Sequence, residues 1–74
     1  MQTAMTEDEL EEFAGIIRNN EAALGELRAR MLAAIDDKSR PLRERVAEYR
    51  RLRNEASLHA EQIEGAWQKL LEML

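Results

Sequence analysis

Cysteine is absent from this 74-residue chain, and proline, histidine, tryptophan, tyrosine and phenylalanine occur once each. Without cysteine there is no disulfide scaffold, no thiol nucleophile and no cysteine-ligated zinc site. A single histidine, His59, cannot build a histidine cluster, and a lone imidazole rarely holds a metal without other strong ligands. β-Branched residues are scarce too: four Ile, one Val and two Thr, little material for strands. No apolar run approaches membrane-spanning length, and Met1–Leu10 lacks the apolar core of a signal peptide. These absences lead us to expect a cytoplasmic chain with no metal, no cofactor, no membrane segment and no small-molecule substrate. No nucleophile–histidine motif or glycine-rich phosphate loop occurs, and Ser39 and Ser57 are the only serines, so no enzyme is expected. An all-helical enzyme can build a site from Arg and Glu, as chorismate mutases do, but their N-terminal Arg/Ile-Asp pattern is missing here.

What is present is helix-forming material. Twelve Glu, eleven Ala, ten Leu, nine Arg and two Lys make up 44 of the 74 residues, a composition typical of long helices and coiled coils. The fold class expected is all-α. Residues 1–5 read as a flexible leader and 6–74 as one domain: helix 6–36, turn 37–40, helix 41–73. Thr6 followed by Glu9 spells a capping box. Glu7, Asp8 and Glu9 place negative charge where the helix dipole favours it.

In the first helix, Leu10, Phe13, Ile17, Leu24, Leu27, Met31 and Ala34 recur at steps of three, four and seven. This is a heptad seam with one gap at Asn20. Asn is also a good N-cap, so Asn19-Asn20 is a point where this helix could split in two. Asp36-Asp37-Lys38-Ser39-Arg40-Pro41 marks the break, since proline is tolerated in a first helical turn and not in an interior. In the second helix, Leu42, Val46, Tyr49, Arg53, Ala56, Ala60, Ile63, Trp67, Leu70 and Leu74 alternate steps of four and three. Two long helices joined by a short turn predict an antiparallel hairpin.

A hairpin of this size struggles against chain entropy of about 1.5 kcal/mol per ordered residue, and its apolar arcs are wider than one neighbour can cover. Dimerisation into a four-helix bundle, or capture of another protein's helix, completes the core. The expected function is therefore a small protein–protein interaction module: an adaptor, chaperone or inhibitor of a larger protein, acting through an apolar helix face. The expected core or interface comprises Leu10, Phe13, Ile17, Leu24, Leu27, Val46, Tyr49, Ile63, Trp67 and Leu70. Asn20 and Arg53 are expected to form a polar layer that sets register and partner choice. His59 reads as a boundary residue beside the seam.

Net charge is −4, but residues 1–37 carry −6 and residues 38–74 carry +2. The turn end is basic and the end holding both termini is acidic, which suits antiparallel self-pairing. Arg40, Arg43, Arg50 and Arg51 form a candidate basic patch, and an RNA- or DNA-binding hairpin is the corresponding alternative. A chain with a pI near 5.0 argues against nucleic acid as the partner. The excess of Arg over Lys suits a GC-rich bacterial or phage genome.

One segment carries a resemblance. Ala47–Ser57 follows a proline turn and, through Glu48, Tyr49, Arg53, Asn54 and Ser57, resembles the second helix of type III secretion needle subunits. Those subunits are helical hairpins that form filaments, and small helical-hairpin chaperones accompany them. The resemblance implies a needle-like or needle-chaperone-like subunit as an alternative function. It covers a small part of the chain: the N-terminal half does not match, Trp67 falls outside the pattern, and the carboxyl end differs.

Overall fold

The computed structural model describes residues 5–73. Two helices, α1 (Glu7–Asp36) and α2 (Leu42–Met73), run antiparallel and pack along their whole length. The molecule is a rod of 59 × 15 × 11 Å, an all-α helical hairpin. Residues 1–4 of the expected leader, and Leu74, lie outside the described residues.

Each boundary has a local cause. Thr6 caps α1: its hydroxyl accepts from the Glu9 N–H at 3.2 Å, and the Glu9 carboxylate accepts from the Thr6 N–H at 3.3 Å. Two otherwise orphaned donors are thereby satisfied. α1 then continues through Asn19 and Asn20 without a break. The turn is built on Asp37, whose Oδ1 accepts from the Ser39 N–H at 3.2 Å and the Ser39 hydroxyl at 2.5 Å. The Arg40 N–H closes the turn onto the Asp37 carbonyl at 3.3 Å. Ring closure fixes φ of Pro41 near a helical value, and its carbonyl receives the first bond of α2, from the Arg45 N–H at 3.2 Å.

The C-terminus of α1 has no basic residue in its last turn and ends on Asp36 and Asp37, the wrong sign of charge for a helix C-terminus. The remedy comes from the other helix. Arg45 of α2 donates to the Ile35 carbonyl through both Nε, at 3.2 Å, and Nη2. One guanidinium therefore closes an open carbonyl and supplies the missing positive charge.

The core is one line of contact between the helices. From α1 it takes Leu24, Leu27 and Ala34, and from α2 Leu52, Ala56, Ile63, Ala66 and Leu70. Leu52 is the most enclosed, at 1% exposure. Met31 packs against this cluster from the side. In α2 the contact line therefore runs through Tyr49, Leu52, Ala56, His59, Ile63, Ala66 and Leu70. It shares Tyr49, Ala56, Ile63 and Leu70 with the seam expected from the sequence. In the alternate half of each heptad it takes Leu52, His59 and Ala66 in place of Arg53, Ala60 and Trp67. The midline of the stripe is rotated by about 50° around the helix axis, because half of its positions move by one residue at about 100° per residue.

Gly15, Gly25 and Gly65 sit inside the helices with negative φ, and a Cβ added at any of them would meet nothing within 4 Å. No close backbone approach requires them.

Candidate interaction face

The rotation decides what the hairpin shows to its surroundings. Of the residues expected in the core or interface, Leu24, Leu27, Ile63 and Leu70 are buried, and Phe13, Ile17 and Tyr49 are half-buried. Leu10, Val46 and Trp67 are exposed, at 39%, 38% and 50%, and are not core residues of the hairpin. Arg53 is exposed as well. The reason is geometric: a helix pair buries one narrow stripe of each partner, and α2 uses the stripe one residue back from Arg53 and Trp67.

Asn20 makes a polar contact across the interface, with His59 and not with the expected Arg53. Asn20 lies on the seam of α1, 8% exposed, so the apparent gap in the heptads is filled by a buried amide. Its Nδ2 donates to the Ile16 carbonyl one turn back at 2.8 Å. Its Oδ1 sits 2.7 Å from His59 Nδ1 across the helix interface. A carbonyl can only accept, so the Ile16 bond fixes the amide orientation and leaves Oδ1 as an acceptor facing His59. His59 Nδ1 must therefore carry the hydrogen. Arg53, the partner expected from the sequence, is exposed on the flank instead. The signal for His59 was present in the spacing: it stands in register with Leu52, Ala56, Ile63 and Ala66. Among the described residues, no buried side-chain nitrogen or oxygen lacks a hydrogen bond.

The arginines expected as a basic patch are divided between two sides of α2 and the turn. Arg51 reaches the Glu48 carboxylate at 2.6 Å and the Glu55 carboxylate at 3.6 Å. The hydrogen bond from Arg51 holds the Glu48 carboxyl below its ordinary pKa, and the same bond raises that of the guanidinium. Arg43 and Arg50 share another side of α2, and Arg40 lies in the turn, half-buried. Among the described residues no helix is long and apolar enough to cross a membrane, and no group of three or more His, Asp or Glu could hold a metal ion.

What remains is one side of the hairpin, apolar toward its two ends and charged between them. Ala14, Glu21, Arg28 and Ile35 each stand one residue past a seam residue of α1. Val46, Arg53, Ala60 and Trp67 stand one residue past a seam residue of α2. In an antiparallel pair, the flanks reached by stepping forward along each chain lie on the same side of the molecule. A shallow cleft lined by Ile35, Leu42, Arg45, Val46 and Tyr49 shows the two flanks meeting there at the turn end. Leu32 and Leu71 extend the same side, at 60% and 74% exposure.

No family model, no curated protein and no solved structure matches this chain. What the face does must therefore be read from its own residues.

Proposed function

We propose that this chain is a small helical protein–protein interaction module, an adaptor, chaperone or inhibitor, and that it works through the face shared by the flanks of α1 and α2. Two hairpins pairing on that face give a four-helix bundle. One observation carries the reading. Of the nine large apolar side chains exposed among the described residues, six lie on this side, Leu32, Ile35, Leu42, Val46, Trp67 and Leu71, while Leu10 ends the seam of α1. Ile16 and Leu58 lie on the other. Scattered apolar residues are normal on a surface; here they gather toward the two ends of one side, around a charged middle, and clustering of this kind suits a docking site. The size is appropriate. A face 59 Å long and 15 Å wide has a footprint of about 900 Å², close to the roughly 800 Å² that each partner contributes to a standard interface.

Trp67, the only tryptophan, reports on the face directly. Raising the concentration should shift its emission to shorter wavelength and protect it from acrylamide quenching. Sedimentation equilibrium should show 8.6 kDa chains passing to a discrete dimer. Replacing Trp67 and Leu71 together by Ser should leave a helical monomer. A wild-type chain that stays monomeric at every concentration refutes the pairing.

A further inference from the structure

The flank residues form four layers across the face. From the turn end they are Ile35 with Val46, Arg28 with Arg53, Glu21 with Ala60, and Ala14 with Trp67. Successive layers are one heptad apart, about 10 Å along the rod. The order is apolar, basic, acidic, apolar. Reversed end for end, this pattern is complementary to itself: apolar layers fall on apolar layers, and the basic layer falls on the acidic one.

We infer that the occupant of the face is a second copy of this chain, laid antiparallel across it, so that Arg28 of each copy meets Glu21 of the other. This rests on the pairing reading above and adds its orientation and register. The two-fold axis lies across the rod, between the basic and acidic layers, and stacks α1 on α1 and α2 on α2. Along α1, Ile35 then faces Ala14 and Arg28 faces Glu21. Along α2, Val46 faces Trp67 and Arg53 faces Ala60. In the apolar layers each large residue meets a smaller one, which lets the surfaces interdigitate. The alternative two-fold axis runs along the rod and sets turn on turn. It brings Arg28 and Arg53 of both copies into one layer, four guanidinium groups with no carboxylate among them.

Within the hairpin, Glu21, Arg28 and Arg53 are exposed, and the ion pairs among the described residues belong to Arg51 instead. The flank charges are therefore free to be used between copies. Like charges placed face to face select strongly against a wrong orientation, and opposite charges also speed encounter. The division of the chain into a −6 half and a +2 half acts in the same direction over the whole rod.

Charge reversal separates the arrangements. Arg28→Glu places a carboxylate against Glu21 of the second copy in the antiparallel dimer, and against Arg53 in the turn-on-turn dimer. Measured by sedimentation equilibrium at low salt, we expect Arg28→Glu to weaken the dimer by about tenfold or more, and Glu21→Arg to do the same. The double variant Glu21→Arg/Arg28→Glu should return to within a fewfold of the wild type. A dimer that tightens in Arg28→Glu, or that the double variant does not restore, overturns the antiparallel arrangement and leaves pairing intact. A wild-type monomer overturns both.

Orientation can also be read directly, because the chain has no cysteine to compete with a label. A spin label on Lys38→Cys should give a distance of about 40 Å, since Lys38 stands about 13–14 residues from the two-fold axis at about 1.5 Å per residue. A distance within about two helix diameters, roughly 25 Å, would establish the turn-on-turn dimer instead.

Discussion

Asn20 Oδ1 and His59 Nδ1 lie 2.7 Å apart across the helix interface, and they are the polar layer of an otherwise apolar contact line. Deleting one partner strands the other, while deleting both removes the desolvation cost along with the bond. Asn20→Ala should therefore cost about 1–3 kcal/mol in urea unfolding followed by circular dichroism. Asn20→Leu with His59→Leu should be near neutral or stabilising. A coupling energy near zero between the two positions in a double-mutant cycle would show that the contact contributes nothing.

Leu52 and Arg53 are neighbours in sequence with opposite fates. Leu52→Ala should destabilise the hairpin by about 2–5 kcal/mol, since it empties the most enclosed position. Arg53→Ala should change hairpin stability by no more than about 0.5 kcal/mol. The reverse ranking in thermal melts at low concentration would place the seam where the sequence alone suggests it.

Arg45→Met should remove about 1 kcal/mol by opening the Ile35 carbonyl at the end of α1. The aliphatic length is preserved, so lost packing is small. Arg45→Lys should recover only part of this, because an ammonium cannot offer the two fixed donors of the guanidinium. Amide hydrogen exchange localises the effect: the last turn of α1 should lose protection before the centre of the rod. Uniform loss along both helices would contradict an end-capping role.

The Asp37 carboxyl is held below its ordinary pKa, first by the hydrogen bond from the Ser39 hydroxyl and then by that from the Ser39 N–H. A carboxyl depressed in the folded state contributes stability above its unfolded pKa and loses it as pH falls through the folded one. The melting temperature should therefore drop below about pH 4, the ordinary Asp range. Glu48, held down by its hydrogen bond from Arg51, acts in the same sense. In Asp37→Asn the acid slope should be shallower than in the wild type. An identical slope would remove Asp37 from the account.

Gly65→Ala should stabilise the hairpin by about 0.8–1 kcal/mol through helix propensity alone. Open space surrounds the position, and it lies away from the shared face. Helicity should rise with no change in dimer affinity. A loss of stability would mean that this site touches something in the assembled state.

Much of the fold was legible in the sequence because it is governed locally. The Thr6–Glu9 cap is a contact within one turn of chain, and Pro41 acts through its own ring. The seam of α1 was legible also, with Leu24 and Leu27 correctly placed by spacing. In α2 two stripes compete. One runs through Arg53, Ala60 and Trp67, the other through Leu52, His59 and Ala66, and both share Tyr49, Ala56, Ile63 and Leu70. Spacing cannot choose between stripes one residue apart, and hydropathy pulls toward Trp67.

The sequence by itself determined that the chain is helical, where the capping box and the proline break stand, and that the turn must reverse the chain. Those are consequences of capping, ring geometry and periodicity, which act over a few residues. That α1 runs unbroken through Asn19 and Asn20 came from the structure. Only the tertiary structure decided which stripe of α2 meets α1. Leu52 and the small Ala66 fill the narrow space between the helix axes, and His59 gives the buried Asn20 the donor it needs. Trp67 and Val46 are then left on the flank, level with Ala14 and Ile35 of the other helix. The apolar face is thus a product of packing, since each helix carries more apolar arc than its single neighbour can cover.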